Sequence, residues 1–498
     1  MTRPQRLTLL AAILGSGVAT IDGSIVNVAL PAIERDLGGG LAGQQWVSNA
    51  YLLTLGSLIL IGGSLGDIYG ERRVFTFGVA AFGALSLACA LAPTMGVLIG
   101  ARALQGAAGA LVTPSSLAII VAAFSPTERG AAIGSWTAWG AIAAIAGPLA
   151  GGWIVDQVSW RWIFALNAPL VLGTLALIRA AVPRSRRVSG RHVDALGAGL
   201  CALGLGGFVF ALIEEPRHGW ASPVIFVPLA VGVVAFALFL GYERRAADPM
   251  LELGLFARRN FAIGNVETLA MYAGLAILFF FLVIFLQQVA GFSALKSGLT
   301  TLPVTIVMFA LSRRFGALAD RFGPRLFMGA GPLIGAAGIL LLLRAGMHAS
   351  FLGDLLPGLL VFAVGLSLTV APLTATVLAD ADESDAGIAS AVNNAVARVA
   401  GLVGVSVLGV IVASTLVGDT FAANAESVRA FHQVVVICAA LVAAGGVAGA
   451  IGITNPRRTV EAARCPAGQL VGAPEPAVDA AAEPSSPTVP VAAPGSVT

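Results

Sequence analysis

Gly63-Ser64-Leu65-Gly66-Asp67-Ile68-Tyr69-Gly70-Glu71-Arg72-Arg73 lies between two strongly apolar segments, and its frame returns as Gly316-Ala317-Leu318-Ala319-Asp320-Arg321-Phe322-Gly323-Pro324-Arg325. Both copies read Gly, any, Leu, small, Asp, any, aromatic, Gly, then basic residues. Each reads as a short charged loop in which Gly63, Gly66 and Gly70 permit a tight turn and close helix approach. Asp67 stands just ahead of the next apolar run, where a carboxylate can cap free N–H groups or pair with Arg72 or Arg73. Duplication of the loop with its flanking segments implies a membrane protein built from two related halves.

The rest of the chain agrees with that class. It is 57% hydrophobic and 11% charged over 498 residues, with a mean hydropathy of +0.90, whereas a soluble protein carries about 25% charge. The apolar runs are continuous rather than alternating, which favours helices over barrel strands. Fourteen spans are predicted, at 7–30, 45–63, 74–92, 96–122, 131–155, 162–182, 193–213, 223–242, 261–286, 297–312, 326–343, 354–373, 388–412 and 431–453. The first is too long for a cleavable signal and is expected to be retained. With the N-terminus inside, the inner segments hold 21 Lys/Arg and the outer loops 6. That asymmetry predicts an even number of spans with both termini cytoplasmic. The repeated loops lie eight spans apart. This suits a six-helix bundle at 1–182, a linker with two additional helices at 183–260, and a second six-helix bundle at 261–454. The Ala/Pro-rich tail, 455–498, reads as a disordered cytoplasmic extension.

Several polar residues interrupt the spans. Asp22 and Asn27 lie in Asp22-Gly23-Ser24-Ile25-Val26-Asn27-Val28-Ala29-Leu30-Pro31. An ionisable residue this deep costs several kcal/mol unless paired or neutral, which suits a proton carrier; a polar contact between helices is the plainer reading. Arg102, with Gln105 and Gly106, enters from the outer side about 6 residues deep, or ~9 Å. Asp22 lies about 8 residues, or ~12 Å, from the outer end of its own span. The two can meet, and pairing would answer the cost of burying both; alternatively Arg102 snorkels outward. Gly147-Pro148-Leu149-Ala150-Gly151-Gly152 permits a kinked, closely packed helix. Glu267 in span 9 and Arg398 in span 13, near Asn393 and Asn394, offer a second proton site, a binder of cationic substrate, or a structural Glu267–Arg398 pair. Gln105, Trp136, Trp139, Tyr272, Phe279 and Gln287 are candidate cavity residues that would suit hydrophobic, often cationic compounds, each also readable as a lipid-facing or packing residue.

Taken in this order, these motifs resemble the fourteen-span drug:proton antiporter family of the major facilitator superfamily over about 7–454. The resemblance implies an all-α integral membrane fold of two pseudo-symmetric six-helix bundles plus two extra central helices. It implies a gating role for Gly63, Asp67, Gly70, Arg72, Arg73, Asp320, Arg321 and Gly323, although Ile68 and Glu71 stand where basic residues are common. It implies proton transfer at Asp22 and Arg102, with Glu267 added as a possible second site. Gly147, Pro148, Gly151 and Gly152 match a signature associated with exporters, with Ala143 where glycine is common. Trp160-Arg161-Trp162-Ile163-Phe164-Ala165-Leu166-Asn167-Ala168-Pro169 also resembles the family and reads as an interfacial aromatic anchor.

The expectation is proton-coupled efflux of amphipathic drugs, dyes or secondary metabolites across the bacterial plasma membrane. Its partners would be a small-molecule substrate, protons and the lipid bilayer, with no nucleic acid, in a monomer. The substrate cavity would draw on Asn27, Gln105, Trp136, Trp139, Tyr272, Asn394 and Arg398. A proton-coupled importer and a non-transporting scaffold or receptor are the alternatives. Enzyme chemistry is not expected. No phosphate-binding Gly-Lys-Ser/Thr loop, nucleophile elbow or metal cluster occurs, and Cys89, Cys201, Cys438 and Cys465 have no metal-ligand spacing. No cofactor is expected beyond the proton gradient.

Overall fold

Continuous apolar runs fold as helices because a bilayer supplies no partners for backbone N–H and C=O groups. The computed structural model describes residues 1–183, 194–246, 251, 253–379, 386–416 and 420–455. Residues 184–193, at the start of the expected 183–260 linker, and 456–498 of the expected tail lie outside the described residues. Helices α1 (Arg3–Leu37), α2 (Gly40–Tyr69), α3 (Glu71–Ala90), α4 (Met95–Ala123), α5 (Pro126–Gln157), α6 (Arg161–Ala165) and α7 (Asn167–Ala181) come first. A pair, α8 (Ala195–His218) and α9 (Pro223–Glu243), follows. Then come α10 (Arg259–Gln288), α11 (Ala294–Thr300), α12 (Leu302–Phe322), α13 (Pro324–Leu340), α14 (Leu356–Ala379), α15 (Ala386–Ala413) and α16 (Ala425–Gly452).

Thirteen stretches among the described residues are helical, long and apolar enough to cross a membrane. The remaining helix of that length is α2, with 30 residues. Local chemistry sets several starts. Thr2 and Gln5 form a reciprocal capping box on α1, and Asn424 accepts from the Ser427 N–H at the start of α16. Span 10, expected over 297–312, is longer than predicted. It runs as α11 and α12 with a break at Thr301, where Pro303 removes a backbone donor.

The duplicated motif is not a loop. Its first copy continues α2 to Tyr69, and α3 begins at Glu71; its second continues α12 to Phe322, and α13 begins at Pro324. Each corner is one residue: Gly70 with φ +92° and ψ 126°, and Gly323 with φ +90° and ψ 146°. Only glycine adopts that backbone without strain. Gly63 and Gly66 stay helical because nothing in their neighbourhood interrupts the ladder. A side chain at Gly323 would also strike Asn455, whose Oδ1 accepts from the Arg325 N–H at 3.1 Å.

Met1–Asn455 packs as one compact unit. In the first part α2 pairs with α4, α3 with α4, and α1 with α5 and α7. In the last part α13 pairs with α14 and α16, α10 with α15 and α16, and α12 with α14. Helix α8 packs on α9 and touches both α2 and α15. Lipid is as apolar as the side chains, so close backbone approach must supply the attraction. At the α2–α4 crossing a side chain on Gly62 would strike the Ala110 carbonyl, and one on Gly106 the Tyr51 carbonyl. Thr54 Oγ1 donates across the same crossing to the Ala103 carbonyl at 2.6 Å.

Gly70→Ala and Gly323→Ala should each destabilise the protein by roughly 1–3 kcal/mol. Gly96→Ala, a helical position with open space around it, should not. Thermal unfolding of the purified variants checks this; equal melting temperatures for all three would mean that the corners do not need glycine.

Candidate functional site

Asp22 and Arg102 meet in the interior. Asp22 on α1 is 0% exposed and Arg102 on α4 is 1% exposed. Arg102 Nη1 donates to Asp22 Oδ2 at 2.5 Å and to Gln105 Oε1 at 2.7 Å. Arg102 Nε donates to the Val47 carbonyl at 3.2 Å, and the guanidinium lies 4.3 Å from the centre of the Tyr51 ring. Gln105 follows Arg102 by three residues and so shares its face of α4. Its Nε2 donates to Asp22 Oδ1 at 3.1 Å, and Asn167 Nδ2 donates to the same oxygen at 3.1 Å. Asn167 also donates to Ser86 Oγ at 2.9 Å, which ties α3 and α7 into the cluster. A buried carboxylate is tolerable when its lone pairs are filled and a counter-charge is adjacent, and both conditions hold here. Asn167 is absent from the expected site. Its signal was an amide inside an apolar run, within a motif read only as an interface anchor. Trp160 of that motif is 4% exposed. It is no lipid anchor: its Nε1 donates to Asp36 Oδ2 at 2.9 Å. Trp162 is the exposed member.

A second feature is a cavity of about 430 Å³ between α1, α2, α10 and α15. Its polar lining is Asn27, Ser48, Asn49, Tyr272, Asn394 and Arg398, and Phe279, Phe280 and Leu52 supply apolar wall. Four expected cavity residues, Asn27, Tyr272, Asn394 and Arg398, are therefore together. Three are elsewhere. Gln105 turns into the Asp22 cluster. Trp136 packs beside Leu9 and Ala12 and donates from Nε1 to Ser16 Oγ at 2.8 Å. Trp139 is 54% exposed. Glu267 does not pair with Arg398. It is 0% exposed, its carboxylate oxygens have no hydrogen-bond partner among the described residues, and it packs against Gly449. Glu267 and Tyr272 are five positions apart, about 140° around α10, so the helix turns Glu267 away from the cavity that Tyr272 lines. Asn393 is turned into the last bundle of helices, where Nδ2 donates to Thr268 Oγ1 at 2.8 Å and Asn265 Oδ1 at 3.2 Å. The side chain of Asp67 lies outside the described residues; Asp320 is exposed.

At the end opposite the Gly70 and Gly323 corners the helices are in close contact. Side chains on Gly147 and Gly151 would strike Ser24 and Ile25, so α5 lies tight on α1. One on Gly152 would strike the Ala294–Leu295 backbone, and one on Gly298 the Pro148 carbonyl, so α5 also lies tight on α11. Asp156, at the foot of α5, accepts from the N–H groups of Ala294 at 2.9 Å and Leu295 at 2.8 Å. Gln45 donates to the Val405 carbonyl at 2.7 Å, Asn49 to Ser406 Oγ at 2.9 Å, and Gln287 to the Val28 carbonyl at 2.9 Å. These hydrogen bonds between α1–α7 and α10–α16 all lie at this end.

Residues 12–405 match the model of the Major Facilitator Superfamily. The chain belongs to this superfamily of membrane transporters. It is 36% identical over 417 residues to the multidrug resistance protein Stp of Mycobacterium tuberculosis (strain CDC 1551 / Oshkosh), covering 84% of this chain and 77% of that protein. It is 36% identical over 420 residues to the puromycin resistance protein pur8 of Streptomyces alboniger, covering 82% of each. It is 34% identical over 420 residues to the tetracenomycin C resistance and export protein of Streptomyces glaucescens, covering 83% and 77%. Among solved structures, a bacterial homologue of the lysosomal transporter Spinster, inward-facing and unoccupied, aligns with a TM-score of 0.64 at 15% identity, covering 91% of this chain and 97% of that one. At that identity the likeness speaks for the fold alone.

In this facilitator the two partners of the buried pair are not equivalent. A carboxyl group can take up a proton and become neutral, whereas a guanidinium stays charged. Asp22→Asn strands a buried cation and should cost about 3–5 kcal/mol; Arg102→Met leaves a group that can neutralise itself and should cost less. Melting temperatures of the two purified variants decide it, and an Arg102→Met protein less stable than Asp22→Asn would refute the asymmetry.

Proposed function

We propose that this facilitator is a proton-coupled exporter of amphipathic drugs, dyes or secondary metabolites in a bacterial plasma membrane, with both termini cytoplasmic. The observation that carries the reading is the buried Asp22–Arg102 pair, whose carboxylate sits on α1, a helix that also lines the cavity. Asp22 and Asn27 share α1 five residues apart, ~7.5 Å along its axis, so the proton-accepting group and the cavity wall belong to one rigid element. The named resistance and export functions of relatives at 34–36% identity support the direction.

In this reading the first and last sets of helices, 1–182 and 261–454, rock as two bundles about the cavity, with α8 and α9 between them. A proton arriving from the end where the helices are in close contact neutralises Asp22. Its pairing with Arg102 is lost, and the guanidinium is left with Gln105 Oε1, the Val47 carbonyl and the Tyr51 face. The tie between α1 and α4 loosens, and the protein moves toward the state that returns the proton inside. Cargo and proton stabilise different states, which is what exchange requires. A proton crossing 100 mV supplies about 2.3 kcal/mol, enough for a roughly 50-fold cargo gradient at ~1.4 kcal/mol per tenfold. The corners at Gly70 and Gly323 lie at the end opposite these contacts and suit gating, and Glu267 is a second candidate proton acceptor.

In everted vesicles, an imposed proton gradient should drive uptake of an amphipathic fluorescent substrate, and an uncoupler should abolish it. Asp22→Asn should lose the gradient-driven component and keep gradient-independent counterflow, which also reports that it is folded. Gradient-driven uptake by Asp22→Asn equal to that of the unmodified protein would remove Asp22 from the coupling role.

A further inference from the structure

The cavity carries a charge that its own walls do not balance. Arg398 lines it from α15, and none of the lining residues is acidic. Among the described residues Arg398 has no salt-bridge or hydrogen-bond partner, and Glu267, for which a pair with it is one of three readings of the sequence, does not line the cavity. Asp22 is 0% exposed, is held by Arg102 and does not line the cavity. A guanidinium keeps its charge and offers five N–H donors in a planar fork that fits a carboxylate or similar oxyanion in two-point contact. Asn27, Ser48 and the Tyr272 hydroxyl, all able to donate, line the same cavity, and Phe279 and Phe280 supply apolar wall. Removed from bulk water, an unpaired cation is costly; a bound anion would relieve that cost, and a bound cation would raise it.

We infer that the cavity selects amphipathic anions, that is, aromatic or polycyclic molecules bearing a carboxylate, phenolate or enolate, with Arg398 as the specificity-determining residue. This rests on the efflux reading for its place in a transport cycle and sharpens it: the cationic cargo that aromatic residues alone suggest is the disfavoured class.

The test is equilibrium binding to the full-length protein in nanodiscs without any gradient, so that it does not depend on proton coupling. Radiolabelled 2-naphthoate and (2-naphthyl)trimethylammonium share one ring system and differ in charge. The unmodified protein should bind naphthoate saturably and at least about tenfold more tightly than the ammonium compound, the scale of one charge-assisted hydrogen bond. Arg398→Gln should lose that preference, and Arg398→Lys should retain part of it with weaker binding, since lysine keeps the charge and not the fork. Tighter binding of the ammonium compound, no saturable naphthoate binding, or an unchanged preference in Arg398→Gln would each overturn the inference. Should Arg398→Gln fail to insert, the preference of the unmodified protein and its reduction in Arg398→Lys carry the decision. Anion binding without gradient-driven transport would instead count against the proton-coupled reading and leave the anion site standing.

Discussion

Two opposite charges held out of water dominate the first half of this protein. Either alone would be costly inside a membrane protein, and together they are acceptable only with their remaining hydrogen-bonding positions filled. Filling them recruits α2 through Val47 and Tyr51, α4 through Gln105, and α7 through Asn167, with α3 joining through Ser86. The polar network therefore fixes the mutual rotation of these helices in a setting where apolar contact is nearly indifferent to rotation. It also makes the arrangement sensitive to a single proton, since neutralising Asp22 removes the charge around which the other donors are organised.

The second constraint is close backbone packing. Glycines at positions 62 and 106 bring α2 against α4, and those at 147 and 151 bring α5 against α1. Gly152 and Gly298 make the same kind of approach across the seam between the first and last helices. The seam has no salt bridge among the described residues. Its polar contacts pair a side chain with a backbone group, apart from the Asn49–Ser406 hydrogen bond. Such an interface is specific in register yet holds no strongly attracting charge pair that would have to be broken to part it.

Much of this was legible in the sequence because it depends on linear spacing. Continuous apolar runs gave the helices, and the repeated frame marked both corners. Rise per residue alone put Asp22 and Arg102 at matching depth. What linear spacing omits is azimuth. Glu267 and Arg398 could be assigned depths but not faces, and α10 turns Glu267 toward Gly449. Trp136 and Trp139 share a helix and an aromatic character that suit a cavity, yet one bonds Ser16 and the other is exposed. The duplicated motif misled in a different way. Its charged residues suggested a loop, but charge does not break a helix at a membrane surface; only Gly70 and Gly323, through their backbone angles, do so.

The seam's chemistry can be compared with the energy available to move it. Among the described residues these hydrogen bonds cross it: Gln45–Val405, Asn49–Ser406, Gln287–Val28 and the two to Asp156. Exchanged for bonds to entering water, each contributes a net ~0.5–1.5 kcal/mol, so opening costs about 3–8 kcal/mol before new contacts form elsewhere. A buried ion pair at the seam would have resisted parting much more strongly. A proton crossing 100 mV contributes about 2.3 kcal/mol, and differential binding of cargo can add a similar amount. The lower part of that range of opening costs lies within reach of the proposed driving forces, and among the described residues no charge pair at the seam adds to the cost.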